Sequence, residues 1–229
     1  MNSSTTTSNT SNTLVTGKDA EYYAKMAEHY DAVYDQEERG EDLDELCDHV
    51  AEALDGHIVL ELACGTGFWT EIAAESALSI VATDINQNLI DLARTRNLPE
   101  DQVSFRVADA YNLPDDLGEF TAILAGFWWS HVARANQEKL LAHWRARFGK
   151  DILVVLVDDT YAEGVSPTVA RTDLDGNTYQ IMTAPDGQRY EIPKNYPSDS
   201  GLRKKLASSV REIKIERLEH FWMLRCRLK

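Results

Sequence analysis

The sequence predicts an α/β fold, in which a doubly wound, mostly parallel seven-stranded sheet ends in an antiparallel C-terminal strand pair and carries an inserted β-hairpin arm. Three observations lead to it. Short apolar runs alternate with helix-type segments between residues 57 and 157, and runs without polar alternation mark strands covered on both faces, as in parallel sheets. A glycine turn joins the first of these runs to the helix after it, a strand-to-helix device of such sheets. Beyond the fifth run the rhythm changes to strand segments paired around a turn.

The elements follow in chain order. Residues 2–13 are all Asn, Ser or Thr, a composition that cannot bury enough apolar area to offset ordering entropy. Disorder is therefore expected over residues 1–16, and one domain over residues 17–229. Between Asp19 and Tyr34, the residues Tyr23, Met26, Ala27 and Tyr30 recur at helical spacing, extended by Val33 and Tyr34. A second helix over 42–54 sets Leu43, Leu46, Val50 and Leu54 on one face and stops at Gly56. Strands are expected at 57–62, 79–83, 103–107, 120–125 and 151–157, with helices at 68–77, 86–95 and 135–148; the 108–119 connection shows no helix pattern. Runs 178–182 and 188–192 flank Ala184-Pro185-Asp186-Gly187, a strand-turn-strand signal within an insertion of about 168–192. A short helix at 200–208 and strands at 212–218 and 220–228 complete the chain.

Composition narrows the function classes. Lys and Arg total 23 against 38 Asp and Glu, a net charge of -15 that repels a phosphate backbone; the short run Arg203-Lys204-Lys205 reads as a solvated helix face. Nucleic acid is not an expected partner. Cys47, Cys64 and Cys226 stand far apart, without CxxC spacing or matching histidines, so neither a disulfide framework nor a metal site is expected. A reducing, cytoplasmic location fits that pattern. No window approaches the ~18 apolar residues of a membrane span, and the first residues lack a basic stretch followed by an apolar run, so no membrane association is expected.

The chemistry concentrates at strand ends. Val59-Leu60-Glu61-Leu62-Ala63-Cys64-Gly65-Thr66-Gly67 runs from a strand into a glycine turn. The glycines permit positive φ and a close approach to backbone, and the helix start beyond supplies free N–H groups, so a nucleotide-like ligand fits there. The nicotinamide fingerprint needs a third glycine where Thr70 stands, and no GxxxxGK[ST] is present. Asp84 ends the second strand, where a carboxylate can accept ribose hydroxyls, cap the next helix, or do both. Asp109 follows the third strand, and Ala125-Gly126-Phe127-Trp128-Trp129-Ser130-His131 follows the fourth. Successive strand ends line one edge, so these sites converge on one crevice.

In this ordered set the chain resembles the class I, Rossmann-like S-adenosylmethionine (SAM)-dependent methyltransferases of the small-molecule type. Glu61 to Gly67 is similar to their first motif, Asp84 to the second, Ala108-Asp109-Ala110 to the third and Ala125 to Trp128 to the fourth, with Ala63 standing where the fullest first motif has glycine. The resemblance implies SAM as cofactor and S-adenosyl-L-homocysteine (SAH) as product, with no metal. It further implies that Glu61, Gly65 and Ala125 surround the methionine part, Asp84 binds ribose, Ile85 packs on adenine and Asp109 holds its amine, with Ala63, Gly67 and Ala110 also at the cofactor. The helices over 19–54 are similar to the lid of these enzymes, and Tyr22 and Tyr30 are expected to reach the cofactor.

The acceptor side has less to go on. Phe127, Trp128 and Trp129 are too many large aromatics for a solvated loop, so some pack in the core and some wall a pocket for a flat or cationic substrate, together with Tyr34. His131 either removes or orients the acceptor's proton or is a structural hydrogen-bonder at a helix start. The expected function is methyl transfer to nitrogen or oxygen of a small, planar or aromatic molecule. A SAM or nucleoside binder without transferase activity, and a protein methyltransferase, are the alternatives. The 168–192 insertion either roofs the pocket or pairs with a second subunit as a homodimer.

Overall fold

The computed structural model describes residues 17–229; the polar stretch at 2–13, and the expectation made for residues 1–16, lie outside them. The chain enters through helix α1 (Asp19–Met26), tightens into a 3-10 helix over Ala27–Val33 and a second over Glu37–Arg39, and continues as α2 (Gly40–Leu54). The single long helix expected from the tyrosine stripe is thus broken at Met26, because the tighter turn that follows sets Tyr30 and Asp31 against the glycine turn.

Alternation then proceeds through β1 (Ile58–Leu62), α3 (Phe68–Ala74), β2 (Ser79–Asp84), α4 (Gln87–Ala93), β3 (Val103–Val107), β4 (Ala122–Gly126), α5 (Arg134–Phe148) and β5 (Leu153–Asp159). Three short strands follow, β6 (Arg171–Thr172), β7 (Thr178–Thr183) and β8 (Arg189–Pro193), and then α6 (Asp199–Leu206), β9 (Val210–Arg217) and β10 (Phe221–Leu228). The main sheet is seven-stranded, in the order β3-β2-β1-β4-β5-β10-β9, with β1 to β5 parallel and β10 antiparallel to both its neighbours. The strand order reverses between β1 and β4, which opens a crevice at their carboxyl ends.

The inward strands are apolar on both faces because helices cover both. Leu60, Leu62, Ile123 and Leu156 pack with Leu140, Leu141 and Trp144 of α5 and with Leu202 and Leu206 of α6. Val59, Leu124 and Val155 pack on the opposite face with Leu43, Leu46, Val50 and Leu54 of α2 and with Trp69 and Ala73 of α3. The insertion is larger than the expected hairpin, since β6 adds a third antiparallel strand to β7 and β8 in a separate sheet. It packs on α1 through Tyr22, Tyr190 and Ile192, with Tyr190 donating to Glu21 at 2.8 Å.

Candidate functional site

The turn after β1 is held in a conformation that its sequence anticipates. Ala63, Gly65 and Gly67 all have positive φ (51°, 57° and 82°), and Gly67 begins α3. A Cβ on Gly67 would stand 3.0 Å from Ala93 Cβ of α4, so the third turn residue has to be glycine for packing as well as for φ. Asp84, at the end of β2, accepts from Gly65 N at 3.0 Å with one oxygen and from Asn86 N at 2.8 Å with the other. One carboxylate therefore ties the glycine turn to Asn86, the residue before α4; it does not cap that helix, whose first turn has no side-chain cap. Burial pushes its pKa up, against the pull of those backbone N–H groups.

Glu61 sits beneath the turn, 1% exposed, with Oε2 accepting from Thr70 at 2.6 Å and Oε1 without a hydrogen-bond partner among the described residues. Burial pushes its pKa up to about 8. The residue at the would-be third glycine of a nicotinamide site is thus the donor to Glu61.

Two cavities meet at this edge of the sheet. The smaller, about 70 Å³, is lined by Ala63, Gly65, Asp84, Ile85, Asp109 and Ala110, with Tyr111, Trp128 and the start of α1 around them. The larger, about 420 Å³, lies under α1 and the three-stranded sheet and is lined by Tyr22, Met26, Arg39, Asp159, Lys194 and Tyr196 among others. Tyr23, Tyr30, Phe127 and His131 line both. Phe127 takes φ 52°, an uncommon value for a bulky residue, at this shared wall.

His131 follows β4 in a one-turn 3-10 helix, 6% exposed. Its Nδ1 lies 2.5 Å from the Pro193 carbonyl and its Nε2 lies 2.9 Å from the Tyr23 hydroxyl. A carbonyl can only accept, so Nδ1 carries the proton and donates it, and Nε2 of the neutral ring accepts from Tyr23. Burial, followed by the Lys194 ammonium, pulls the His131 pKa down and keeps the ring neutral.

Behind this wall lies a four-membered charge network. The Lys194 ammonium bridges Asp158 at 2.8 Å and Asp159 at 2.7 Å, and Arg39 pairs with Asp159. Asp158 is fully buried and also accepts from Ser130 N, one residue before His131. Burial opposes the Lys194 charge, but the two aspartates outweigh it and hold its pKa well above the ordinary value.

The structure brings Ala63, Gly65, Asp84, Ile85, Asp109, Ala110, Tyr30, Phe127, Trp128 and His131 to the cavity walls. Tyr22 lines the larger cavity alone. Glu61, Gly67 and Ala125 stand behind the lining, Ala125 in the core beside Leu62. Trp128 packs with Tyr111 on the smaller cavity's side, whereas Trp129 is fully buried against Trp144 and lines neither cavity. Tyr34 stacks on Phe68, ring centroids 3.8 Å apart, and likewise lines neither. Sequence reasoning missed Tyr23 as a site residue, together with Arg39, Asp159 and Lys194. The Asp158-Asp159 pair closing an otherwise apolar strand was the available signal. Among the described residues no group of three or more His, Cys, Asp or Glu is arranged to hold a metal ion.

A parallel sheet that turns through glycines into a helix, fixed by a strand-end aspartate and roofed by an N-terminal helix, makes the chain similar to the class I, Rossmann-like SAM-dependent methyltransferases. The matching family model is the Methyltransferase domain, over residues 59–149. A demethylmenaquinone methyltransferase of Clavibacter sepedonicus is 36% identical over 82 residues, 36% of this chain and 34% of that protein. A magnesium-protoporphyrin O-methyltransferase of Rhodobacter capsulatus is 39% identical over 74 residues, 31% of this chain and 32% of that one. The match thus spans about a third of these curated relatives. Among solved structures, the DhpI–SAH complex shares 25% identity and a TM-score of 0.71, covering 91% of this chain and 94% of that one. The DhpI–SAM–HEP complex shares 25% identity and a TM-score of 0.72, covering 92% and 96%.

Proposed function

We propose that this protein methylates a small molecule, with SAM in the crevice beside the glycine turn and the acceptor in the larger cavity under the three-stranded sheet. The observation that carries the reading is the shared wall: Tyr23, Tyr30, Phe127 and His131 face both cavities, where a methyl donor and its acceptor must meet. A volume of about 420 Å³ falls in the range of roughly 300–1,000 Å³ for small-molecule sites. The SAH- and SAM-bound neighbours and the small-molecule methyltransferases among the relatives support the same reading.

The residues present fit the cofactor. Asp84 and Asp109 keep spare lone pairs at the strand ends, Ile85 and Ala110 offer an apolar face for a base, and the glycine turn brings backbone close to the ligand. Bound SAM supplies an already activated sulfonium methyl, so alignment and exclusion of water are the main demands on the protein. Tyr23 and Tyr30 close the roof over the transfer point. His131 Nε2 is the base: its neutral tautomer is fixed by Pro193, and it already accepts a hydrogen bond from the Tyr23 hydroxyl, the position a hydroxyl or amine acceptor would take. The acceptor is bounded by tyrosine and methionine side chains and by the Lys194–Asp159–Arg39 network, a mixed lining suited to a small molecule with both apolar and polar parts.

Incubation with methyl-labelled SAM and a cell extract tests the reading. Label in the small-molecule fraction is expected. Label in macromolecules would assign a protein methyltransferase, and SAM binding without any transfer would assign a binding protein.

A further inference from the structure

Arg96, in the turn after α4, makes three attachments with one guanidinium. Its Nε donates to the Thr66 carbonyl at 2.6 Å, Nη1 to Glu71 at 2.7 Å and Nη2 to Asp31 at 2.8 Å. The Thr66 hydroxyl donates to the same Asp31 carboxylate. Thr66 stands between Gly65 and Gly67, whose positive φ values no side chain of their own restrains. Glu71 lies in the first turn of α3, and Asp31 lies on the 3-10 helix beside Tyr30, whose ring edge comes within 3.8 Å of where a Cβ on Gly65 would be. Arg96 thus joins three elements: the glycine turn, the helix it begins, and the lid above it.

With the lid down, the crevice beside the glycine turn measures about 70 Å³, well short of the roughly 300 Å³ at the lower end of ligand pockets. A ligand the size of SAM therefore enters only if the lid lifts. Lifting the 3-10 helix breaks both Asp31 contacts and leaves Arg96 on Thr66 and Glu71. We infer that Asp31 and Arg96 form a latch on the cofactor site, with Arg96 the positioning residue that keeps the glycine turn set while Asp31 is released and recaptured. The inference rests on the cofactor reading above. The exposures suit a latch better than a lock: Asp31 is 53% exposed and Arg96 18%, and screened pairs of this kind contribute at most about 1 kcal/mol, small enough to open thermally.

The test uses SAH as probe on the full chain, with affinity from calorimetry and dissociation rates from stopped-flow tryptophan fluorescence. Asp31→Asn should speed SAH dissociation roughly twofold to fivefold at an unchanged melting temperature, and raised salt should do the same to the unmodified protein. Arg96→Gln should lose more affinity, because Thr66 is released as well. The double variant should then lose less than the sum of the two single changes, since both remove the Asp31–Arg96 pair, while the Thr66–Asp31 contact is lost only with Asp31. Should Arg96→Gln fail to fold, Asp31→Asn and the salt series still decide the question. Unchanged dissociation in Asp31→Asn, or a fully additive double variant, overturns the latch alone. An unmodified protein that binds no SAH overturns the cofactor reading, and the latch with it.

Discussion

Glu61 is buried beneath the glycine turn with one oxygen bound by Thr70 and the other without a partner among the described residues, so its ionisation opposes the fold. Its pKa rises from 4.5 to about 8, and between those values the native state holds a proton that the unfolded chain has released. Stability should therefore fall as pH rises from about 4.5 to about 8, and the Glu61 contribution should be constant on either side. Glu61→Gln, measured by urea unfolding across that window, should flatten the slope and be more stable than the parent at pH 9. A variant as steep as the parent would remove Glu61 as the source. His131 leads to a different measurement. If Nε2 takes the acceptor's proton, His131→Ala lowers turnover by about 10²–10⁴ with SAM affinity nearly intact, because general-base catalysis contributes about that much. Turnover near that of the parent across pH would make His131 structural. The glycine turn and its aspartate were legible because φ and close packing admit few residue types there. Tyr23 was visible only as part of a helical stripe, and nothing in residue spacing says that its hydroxyl meets a histidine 108 positions on.

Elements differed in how plainly they could be read. The parallel strands were legible because both of their faces are covered, so the chain writes them as unbroken apolar runs such as Leu153 to Val157. β6 was not, because it is two residues long and both are exposed. The break after α1 was equally hidden, since 3-10 and α-helical spacing nearly coincide over so few residues. The junction between β5 and the end of β8 holds the interaction with the largest expected effect. Lys194, just past β8, neutralises Asp158 on β5, and the aspartate has no exposure to water. Lys194→Met should therefore destabilise the protein by about 3–5 kcal/mol, the usual consequence of stranding a buried charge. Pairing it with Asp158→Asn should recover a large part of the loss. Denaturant melts of the single and double variants check both statements, and a single variant as stable as the parent would refute the first.

At the scale of the whole molecule, a net charge of -15 sets a uniform self-repulsion that surface pairs offset only locally. Raising salt from about 20 to about 200 mM shortens the Debye length from roughly 20 Å to roughly 7 Å, so the melting temperature should rise. A fall would mean that the surface ion pairs outweigh the repulsion. The two halves of the site are also segregated along the chain. Apart from the roof, the residues beside the glycine turn all come from positions 63 to 131, whereas the far walls of the larger cavity come mostly from positions 159 to 196. The three-stranded sheet is one uninterrupted stretch that leaves the main sheet at the end of β5 and returns at α6. On the proposed reading, a single exchange of that stretch between relatives would hand an unaltered methyl-donor crevice a new clientele, diversifying what is recognised without rebuilding the residues beside the glycine turn.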